Sequence, residues 1–232
     1  MPYPKLPPLF HNYFICRIEF HIPAGYNIGS TTTQRYLSVI YGQKIIFITS
    51  SPHAEGNTNT LVNHAAEAAE GAGAEVEIVD INKLEVKVPG CCACEGCHPD
   101  KLQCAIDDDL SDLIAELFRN DVVVFAAPIY FFGLPAQIKM VIDRFYSLVI
   151  SESGVTFSPL KRVKFALIAT AEGDVDDSGF EVVELQMKYL EEYLETAEVK
   201  FLFRGGCTGH DDVLKDSAAI AEAQALGKQL AI

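Results

Sequence analysis

From position 44 onward the chain alternates between short apolar runs and longer amphipathic stretches. The runs at 45–48, 122–125 and 163–169 are almost continuously hydrophobic, and shorter runs occupy 76–79 and 199–203. Uninterrupted apolar runs of this length are typical of strands buried on both faces of a parallel sheet. We therefore predict five strands.

The stretches between these runs have the spacing of helices. Residues 58–71 lead from a threonine to a glycine, and residues 110–118 follow three aspartates that suit a helix N-terminus. Further helices are predicted from Pro135 to Leu148, from Phe180 to Leu194 and from Ile220 to Leu230, each with apolar residues three or four apart. Alternating strands and helices indicate an α/β fold with an open, doubly wound sheet.

Residues 1–43 lack this periodicity. They hold five of the eleven prolines, and their charged residues sum to +2, so residues 44–232 carry −16. We predict an N-terminal extension at 1–43 followed by one domain at 44–232.

The net charge argues against two classes of partner. The chain of 232 residues carries a net charge of −14, so its surface repels nucleic acid and anionic membranes. No apolar run approaches the ~20 residues that span a bilayer, and the N-terminus lacks the pattern of a secretory signal. We therefore expect a cytoplasmic protein with no nucleic-acid or membrane partner.

In an open α/β sheet the ligand binds beyond the carboxyl ends of the strands, so the loop after the first strand is informative. Residues 49–60 supply hydroxyls, a glycine and an asparagine that lead directly into a helix N-terminus. Such a loop can cradle a phosphate, although it can also be an ordinary polar connection. Neither a P-loop lysine nor a G-x-G-x-x-G pattern is present, which argues against nucleoside triphosphates and dinucleotides.

The loop after the third strand holds three consecutive aromatic residues, Tyr130, Phe131 and Phe132, between Pro128 and Pro135. Aromatic side chains at this place could form a wall for a flat heteroaromatic ring. They could equally cap the core or form a subunit interface.

Two motifs in this order resemble those of the flavodoxin-like NAD(P)H-dependent FMN reductases: Ser51-Pro52-x3-Gly56-Asn57-Thr58 and Pro128-x-Tyr130-x4-Pro135-Ala136-x2-Lys139-x3-Asp143-Arg144. The resemblance implies a five-stranded parallel sheet of order 2-1-3-4-5 and an FMN cofactor. The implied phosphate-binding residues are Ser51, His53, Asn57 and Thr58, and those against the isoalloxazine ring are Pro128, Ile129, Tyr130, Phe131 and Gly133. The family usually has arginine at the position of His53, so we expect weaker neutralisation of the phosphate.

The loop after the fourth strand would close the far side of this pocket. Ala171 and Gly173 are small enough to let the backbone approach the ring closely. We assign both residues to the cofactor site.

A cysteine-rich loop at 90–107 lies between the second and third strands. It contains the pattern Cys91-x2-Cys94-x2-Cys97-x6-Cys104, four thiols that a single cation could hold. Structural zinc usually uses two pairs of ligands much further apart. The compact spacing resembles that of the iron-sulfur flavoproteins, a branch of the same family, and implies a [4Fe-4S] cluster; bare thiols and zinc remain alternatives. Cys92, Cys16 and Cys207 are predicted not to be ligands.

The predicted function is an FMN-dependent oxidoreductase or electron-transfer protein, with electrons passing from a donor such as ferredoxin through the cluster to FMN. The alternatives are a cluster-free reductase that uses NAD(P)H to reduce quinone or free flavin, and a thiol-based redox sensor. Hydride transfer to flavin requires no acid or base, so no catalytic side chain is predicted. The resemblance also implies a homodimer or homotetramer.

Overall fold

The computed structural model describes residues 42–97, 102–152 and 155–232. The predicted extension, apart from residues 42 and 43, and Cys16 within it lie outside the described residues. The division of the chain at residue 43 therefore stays a prediction.

The described chain contains seven strands and five α-helices. In chain order they are β1 (Lys44–Thr49), α1 (Asn57–Gly71), β2 (Glu75–Asp80), α2 (Asp109–Leu117), β3 (Val122–Pro128), α3 (Ala136–Arg144), β4 (Ile150–Glu152), β5 (Val155–Phe157), β6 (Lys164–Thr170), α4 (Phe180–Leu194), β7 (Glu198–Arg204) and α5 (Ser217–Leu230). No helix among them is long and apolar enough to cross a membrane.

Five of the strands form one parallel sheet in the order β2-β1-β3-β6-β7. With β6 and β7 counted as its fourth and fifth strands, this is the predicted order 2-1-3-4-5. The flavodoxin-like α/β fold is thus confirmed. The three central strands β1, β3 and β6 are buried almost throughout, as their continuous apolar runs predict.

Helices cover both faces of the sheet. One core packs α2, α3 and α4 against it around Phe125 and Phe165, and the other packs α1 and α5 around Phe47. The predicted amphipathic stretches therefore have their apolar sides against the sheet.

Two features differ from the prediction. The helix after Pro135 ends at Arg144 and continues to Leu148 as a 3-10 turn, in which the Ser147 hydroxyl donates to the Arg144 carbonyl at 2.9 Å. A two-stranded antiparallel hairpin, β4 and β5, precedes β6. Its strands have three residues each, too few for a strand period to appear in the sequence.

Helices α1 and α5 pack unusually closely at Gly227. A β-carbon at this position would lie 2.0 Å from the Ala65 carbonyl oxygen. We predict that Gly227→Ala lowers the free energy of unfolding by about 1–3 kcal/mol, because the helices must separate to admit the methyl group. Urea denaturation measures this change.

Gly71→Ala, at the end of α1, is the matched control. A β-carbon there would meet no atom within 4 Å. Alanine favours helix by up to about 1 kcal/mol over glycine, so this variant should be as stable as the wild type or slightly more so. Equal stability of the two variants would contradict the close contact at Gly227.

Candidate functional site

Four loops meet at the carboxyl edge of the main sheet, after β1, β3, β6 and β7. Backbone hydrogen bonds continue the sheet into them: Ile129 N–H donates to the Thr170 carbonyl at 2.7 Å, and Ala171 N–H donates to the Arg204 carbonyl at 2.9 Å. The loops after β1 and β3 both start from the centre of the sheet. The predicted phosphate loop and the predicted ring loop thus share one edge.

The loop after β1 leads into the N-terminus of α1. Gly56 occupies the N-cap position, and no side chain caps this helix. The buried Ser51 hydroxyl shapes the turn by accepting from His53 N–H at 3.4 Å. The first-turn amides therefore lack a side-chain acceptor, which suits an anionic ligand.

The side chains of Asn57 and Thr58 already have protein partners. Asn57 donates from Nδ2 to the Gly209 carbonyl at 2.6 Å and accepts from Val213 N–H at 2.9 Å. The Thr58 hydroxyl bonds to that of Thr170 at 2.8 Å. These side chains hold neighbouring loops in place, so the backbone amides of Asn57 and Thr58 are the groups left available to a ligand.

The aromatic loop is a tight two-residue turn. Tyr130 N–H donates to the Gly133 carbonyl at 3.0 Å, and Gly133 N–H donates back at 3.2 Å. Phe131 and Phe132 between them have φ of +47° and +64°, a left-handed conformation that non-glycine residues rarely adopt. Each such residue costs on the order of 1 kcal/mol or more, and such strain is concentrated at functional sites.

The turn holds its aromatic side chains out from the core. Phe131 is 99% exposed, Phe132 60% and Tyr130 50%. These three side chains therefore do not cap the core of this chain. Apolar groups displayed in this way are typical of a surface that meets a ligand or another chain.

The loop after β6 supports this turn from one side. Gly179, at φ +83°, lies so close to Phe132 that a β-carbon would be 2.6 Å from the Phe132 α-carbon. Ala171 is buried, and its carbonyl accepts from Cys207 N–H at 2.9 Å; the Gly173 carbonyl accepts from Gly206 N–H at 2.8 Å. The loop after β6 therefore contacts both the aromatic turn and the loop after β7, and the sequence predicted neither contact.

A buried ion pair between Arg144 and Asp108 lies where the two ends of the cysteine loop come together. The side chains of Arg144 and Asp108 are both fully buried, and their two contacts measure 2.6 and 2.9 Å. Asp108 also accepts from the backbone N–H groups of Lys87 and Ser111, each at 3.0 Å, and so caps α2. The pair connects α3, the start of α2 and the chain that enters the cysteine loop.

Arg144 also binds the segment just before the first cysteine. Its guanidinium donates to the Val88 carbonyl at 2.6 Å and to the Gly90 carbonyl at 3.2 Å. Gly90 has φ +73°, and a β-carbon there would lie 3.1 Å from a carboxylate oxygen of Asp143. This position therefore favours glycine, and the chain enters Cys91 with a fixed direction.

The ion pair shifts the acid–base equilibria of both partners. Burial by itself raises the pKa of Asp108, but the hydrogen bonds from Arg144, Lys87 and Ser111 outweigh it and lower this pKa below its ordinary value of 3.8. The pKa of Arg144 is raised, since its bonds to Asp108 outweigh the opposing effect of burial. Both groups are therefore charged at neutral pH.

The four predicted ligand cysteines lie on one loop as free thiols. Cys91 and Cys94 are exposed, Cys97 is half-buried and Cys104 is buried. The pKa of Cys97 is raised by burial and then by the charges of Cys104, Cys91 and Cys94, so the Cys97 thiol lies within electrostatic reach of the other three. Among the described residues, however, no three Cys, His, Asp or Glu side chains converge closely enough to hold a metal ion.

The donor set fits an iron-sulfur cluster in its chemistry, because four thiols are available in one loop. The side chains would have to turn towards a common centre to bind one. Cys92 is exposed on the same loop, and Cys207 lies far along the chain, after β7.

Comparison with known proteins decides the family. A family model described as NADPH-dependent FMN reductase matches residues 43–200, more than half of the chain. The chain belongs to this family. The family expected from the sequence is thus confirmed.

Relatives of this FMN reductase family member include proteins of two kinds. An iron-sulfur flavoprotein of Methanocaldococcus jannaschii is 35% identical over 101 residues, which are 44% of this chain and 51% of that protein. An FMN-dependent NADH:quinone oxidoreductase of Yersinia enterocolitica is 34% identical over 122 residues, 49% of this chain and 58% of that protein. The chain thus spans about half the length of the curated relatives it matches. The resemblance to iron-sulfur flavoproteins is confirmed.

A solved structure confirms the fold. An NAD(P)H:quinone oxidoreductase from Methanothermobacter marburgensis superposes with a TM-score of 0.65 at 15% identity, and the match covers 81% of this chain and 98% of that one. At this identity the likeness concerns the fold alone.

We predict that Asp108→Asn lowers the free energy of unfolding by about 3–5 kcal/mol at pH 7, since it leaves the buried Arg144 charge without its partner. The folded-state pKa of Asp108 is lowered, so its stabilising effect is complete above pH 3.8 and is lost as the pH falls further. The difference between variant and wild type should therefore shrink below pH 3.8. Urea denaturation at several pH values measures it.

Asp109→Asn is the matched control. Asp109 is exposed and accepts one backbone hydrogen bond, from Glu85 N–H at 2.8 Å. Its replacement should cost about 1 kcal/mol. Similar losses for the two variants would mean that the Asp108 pair is not the stabilising contact.

Proposed function

We propose that the protein is an FMN-dependent oxidoreductase that binds FMN at the carboxyl edge of the main sheet. The observation that carries the proposal is the exposed, strained aromatic turn at Tyr130–Gly133 beside an uncapped helix N-terminus at Gly56. One feature offers donors to a phosphate and the other an apolar wall to a flat ring. Family membership supports both assignments.

The phosphate would accept hydrogen bonds from the Ser51 hydroxyl and from the amides that begin α1, at Asn57 and Thr58. His53, exposed in the same loop, would face the phosphate from outside. Pro128, Ile129, Tyr130, Phe131 and Gly133 would line the ring on one side, with Ala171 and Gly173 on the other. When bound, FMN supplies redox chemistry that exchanges one or two electrons.

We further propose that Cys91, Cys94, Cys97 and Cys104 hold a [4Fe-4S] cluster that exchanges electrons with FMN and with a donor such as ferredoxin. The number of thiols on one loop, their mutual effect on the pKa of Cys97 and the relatives named iron-sulfur flavoproteins support this assignment. The cysteine loop is anchored at Arg144, about 12 Å along α3 from the helix start that follows the aromatic turn. One rigid helix would thus connect the two cofactor sites.

A second candidate is a cluster-free reductase that takes hydride from NAD(P)H and passes it through FMN to a quinone. The relatives named FMN-dependent NADH:quinone oxidoreductases favour it.

We propose a homodimer or homotetramer that works in the cytoplasm. Besides the aromatic turn, α4 exposes an apolar stripe formed by Val182, Leu185, Tyr189 and Tyr193, and exposed apolar surface of this kind is typical of subunit contacts. Five of the seven cysteines lie within fourteen residues, a spacing unlike the disulfide framework of a secreted protein, which supports a reducing compartment.

Tyr130→Ala should weaken FMN binding roughly tenfold, because an aromatic contact contributes on the order of 1 kcal/mol beyond the area it buries. Quenching of flavin fluorescence measures the affinity. Phe157→Ala is the control: Phe157 is similarly exposed, at 48%, but lies in the β4–β5 hairpin, which belongs to neither proposed site. Unchanged FMN affinity in Tyr130→Ala would remove this residue from the site.

Cys94→Ser should abolish iron binding while FMN binding persists, since a hydroxyl is a poor substitute for a thiolate on an iron-sulfur cluster. Cys92→Ser, on the same loop, should retain the iron. Iron, acid-labile sulfide and flavin are quantified in protein purified without oxygen. Flavin without iron in the wild type would favour the cluster-free reductase, and reversible thiol oxidation without flavin would favour the redox sensor.

A further inference from the structure

Both ends of the cysteine loop meet at one side chain that lies outside the loop. Before Cys91, the carbonyls of Val88 and Gly90 accept from Arg144 at 2.6 and 3.2 Å. After Cys104, the Asp108 carboxylate accepts from the same guanidinium at 2.6 and 2.9 Å. Arg144 therefore joins the two ends of the cysteine loop.

The exit of the loop is held by a second contact. The Ser111 hydroxyl donates to the Cys104 carbonyl at 3.0 Å, and Ser111 N–H donates to Asp108 at 3.0 Å. The ligand cysteine at this end is therefore fixed relative to the ion pair through α2. At the entrance, Cys91 directly follows the bound Gly90.

We propose that Arg144 is a positioning residue for the cysteine loop: by joining its two ends it restrains the segment that carries the four thiols, so that less ordering is left to the binding step, and it thereby raises their affinity for a metal. The proposal rests on the proposed role of these thiols as ligands. Arg144 would contact no metal itself. It lies on α3, the helix that follows the aromatic turn.

The physical basis is loop closure. Bringing the ends of a flexible loop together costs conformational entropy. If the ends come together only when the metal binds, this cost reduces the metal affinity. The ion pair and the two carbonyl contacts hold the ends together before a metal binds. Groups that orient metal ligands without touching the metal typically contribute about 10–100-fold in affinity.

The contacts require arginine. Its planar guanidinium donates in several directions at once, here to a carboxylate and two carbonyls. A lysine ammonium keeps the charge near Asp108 but cannot reach all three acceptors. Arg144→Lys therefore separates loop closure from charge.

The test measures the affinity of the full chain for Co²⁺, which reports thiolate binding by its visible absorption. We expect Arg144→Lys to weaken Co²⁺ binding about 10–100-fold. A second variant, Arg144→Met with Asp108→Leu, removes both buried charges, so it can fold without an unpaired ion. It should show the same loss.

Arg204→Lys is the matched control. Arg204 forms an ion pair with Asp216 between β7 and α5, remote in the fold from the cysteine loop. This variant should bind Co²⁺ with the wild-type affinity. An equal loss in Arg204→Lys would show that general destabilisation is the cause and would overturn the proposal.

A second probe does not depend on metal binding. Phenylarsine oxide forms two arsenic–sulfur bonds with neighbouring thiols and releases water, so its affinity reports how close the thiols lie. Weaker arsenical binding in both Arg144 variants supports the positioning role, even if the wild type binds neither iron nor Co²⁺. A wild type that binds no metal would refute only the proposed cluster. Changes of less than about threefold for both probes in both variants would overturn the positioning role.

Discussion

The contact on which the candidate site depends most is the buried ion pair between Arg144 and Asp108. A charge without access to water is tolerated only when it is paired and hydrogen-bonded, and Arg144 meets this condition with a carboxylate and two carbonyls. Asp108 in turn caps α2 and binds the chain at Lys87. Two helices and both ends of the cysteine loop are therefore positioned by one pair of side chains.

The carboxyl edge of the sheet is organised differently, by neutral hydrogen bonds and close backbone contacts. Asn57 ties the start of α1 to the loop after β7, and Thr58 ties it to the end of β6. Gly179 allows the loop after β6 to contact Phe132 directly. The side chains of this region thus hold the loops in place, and they leave backbone amides and aromatic faces as the surfaces available to a cofactor.

Helix α3 joins the two regions. It begins after the aromatic turn and ends at Arg144, so any shift of the turn along the helix axis would move the base of the cysteine loop as well. A rigid helix of about 12 Å would keep the proposed FMN site and the proposed cluster site at a constant separation. This arrangement agrees with the proposal that FMN and a cluster exchange electrons.

The sequence by itself determined the order of strands and helices, because burial on both faces of a parallel sheet leaves continuous apolar runs and each helix has one apolar side. It also predicted the loops that reach the carboxyl edge. Only the tertiary structure decided how Asn57 and Thr58 are used, why Phe131 and Phe132 adopt left-handed backbone angles, and that Arg144 is buried. The roles of Asn57 and Arg144 depend on partners distant in sequence: Asp108 precedes Arg144 by 36 positions, and Gly209 follows Asn57 by 152. Local sequence patterns do not identify such pairs, since a charged residue on a helix is expected to be exposed unless its partner is known.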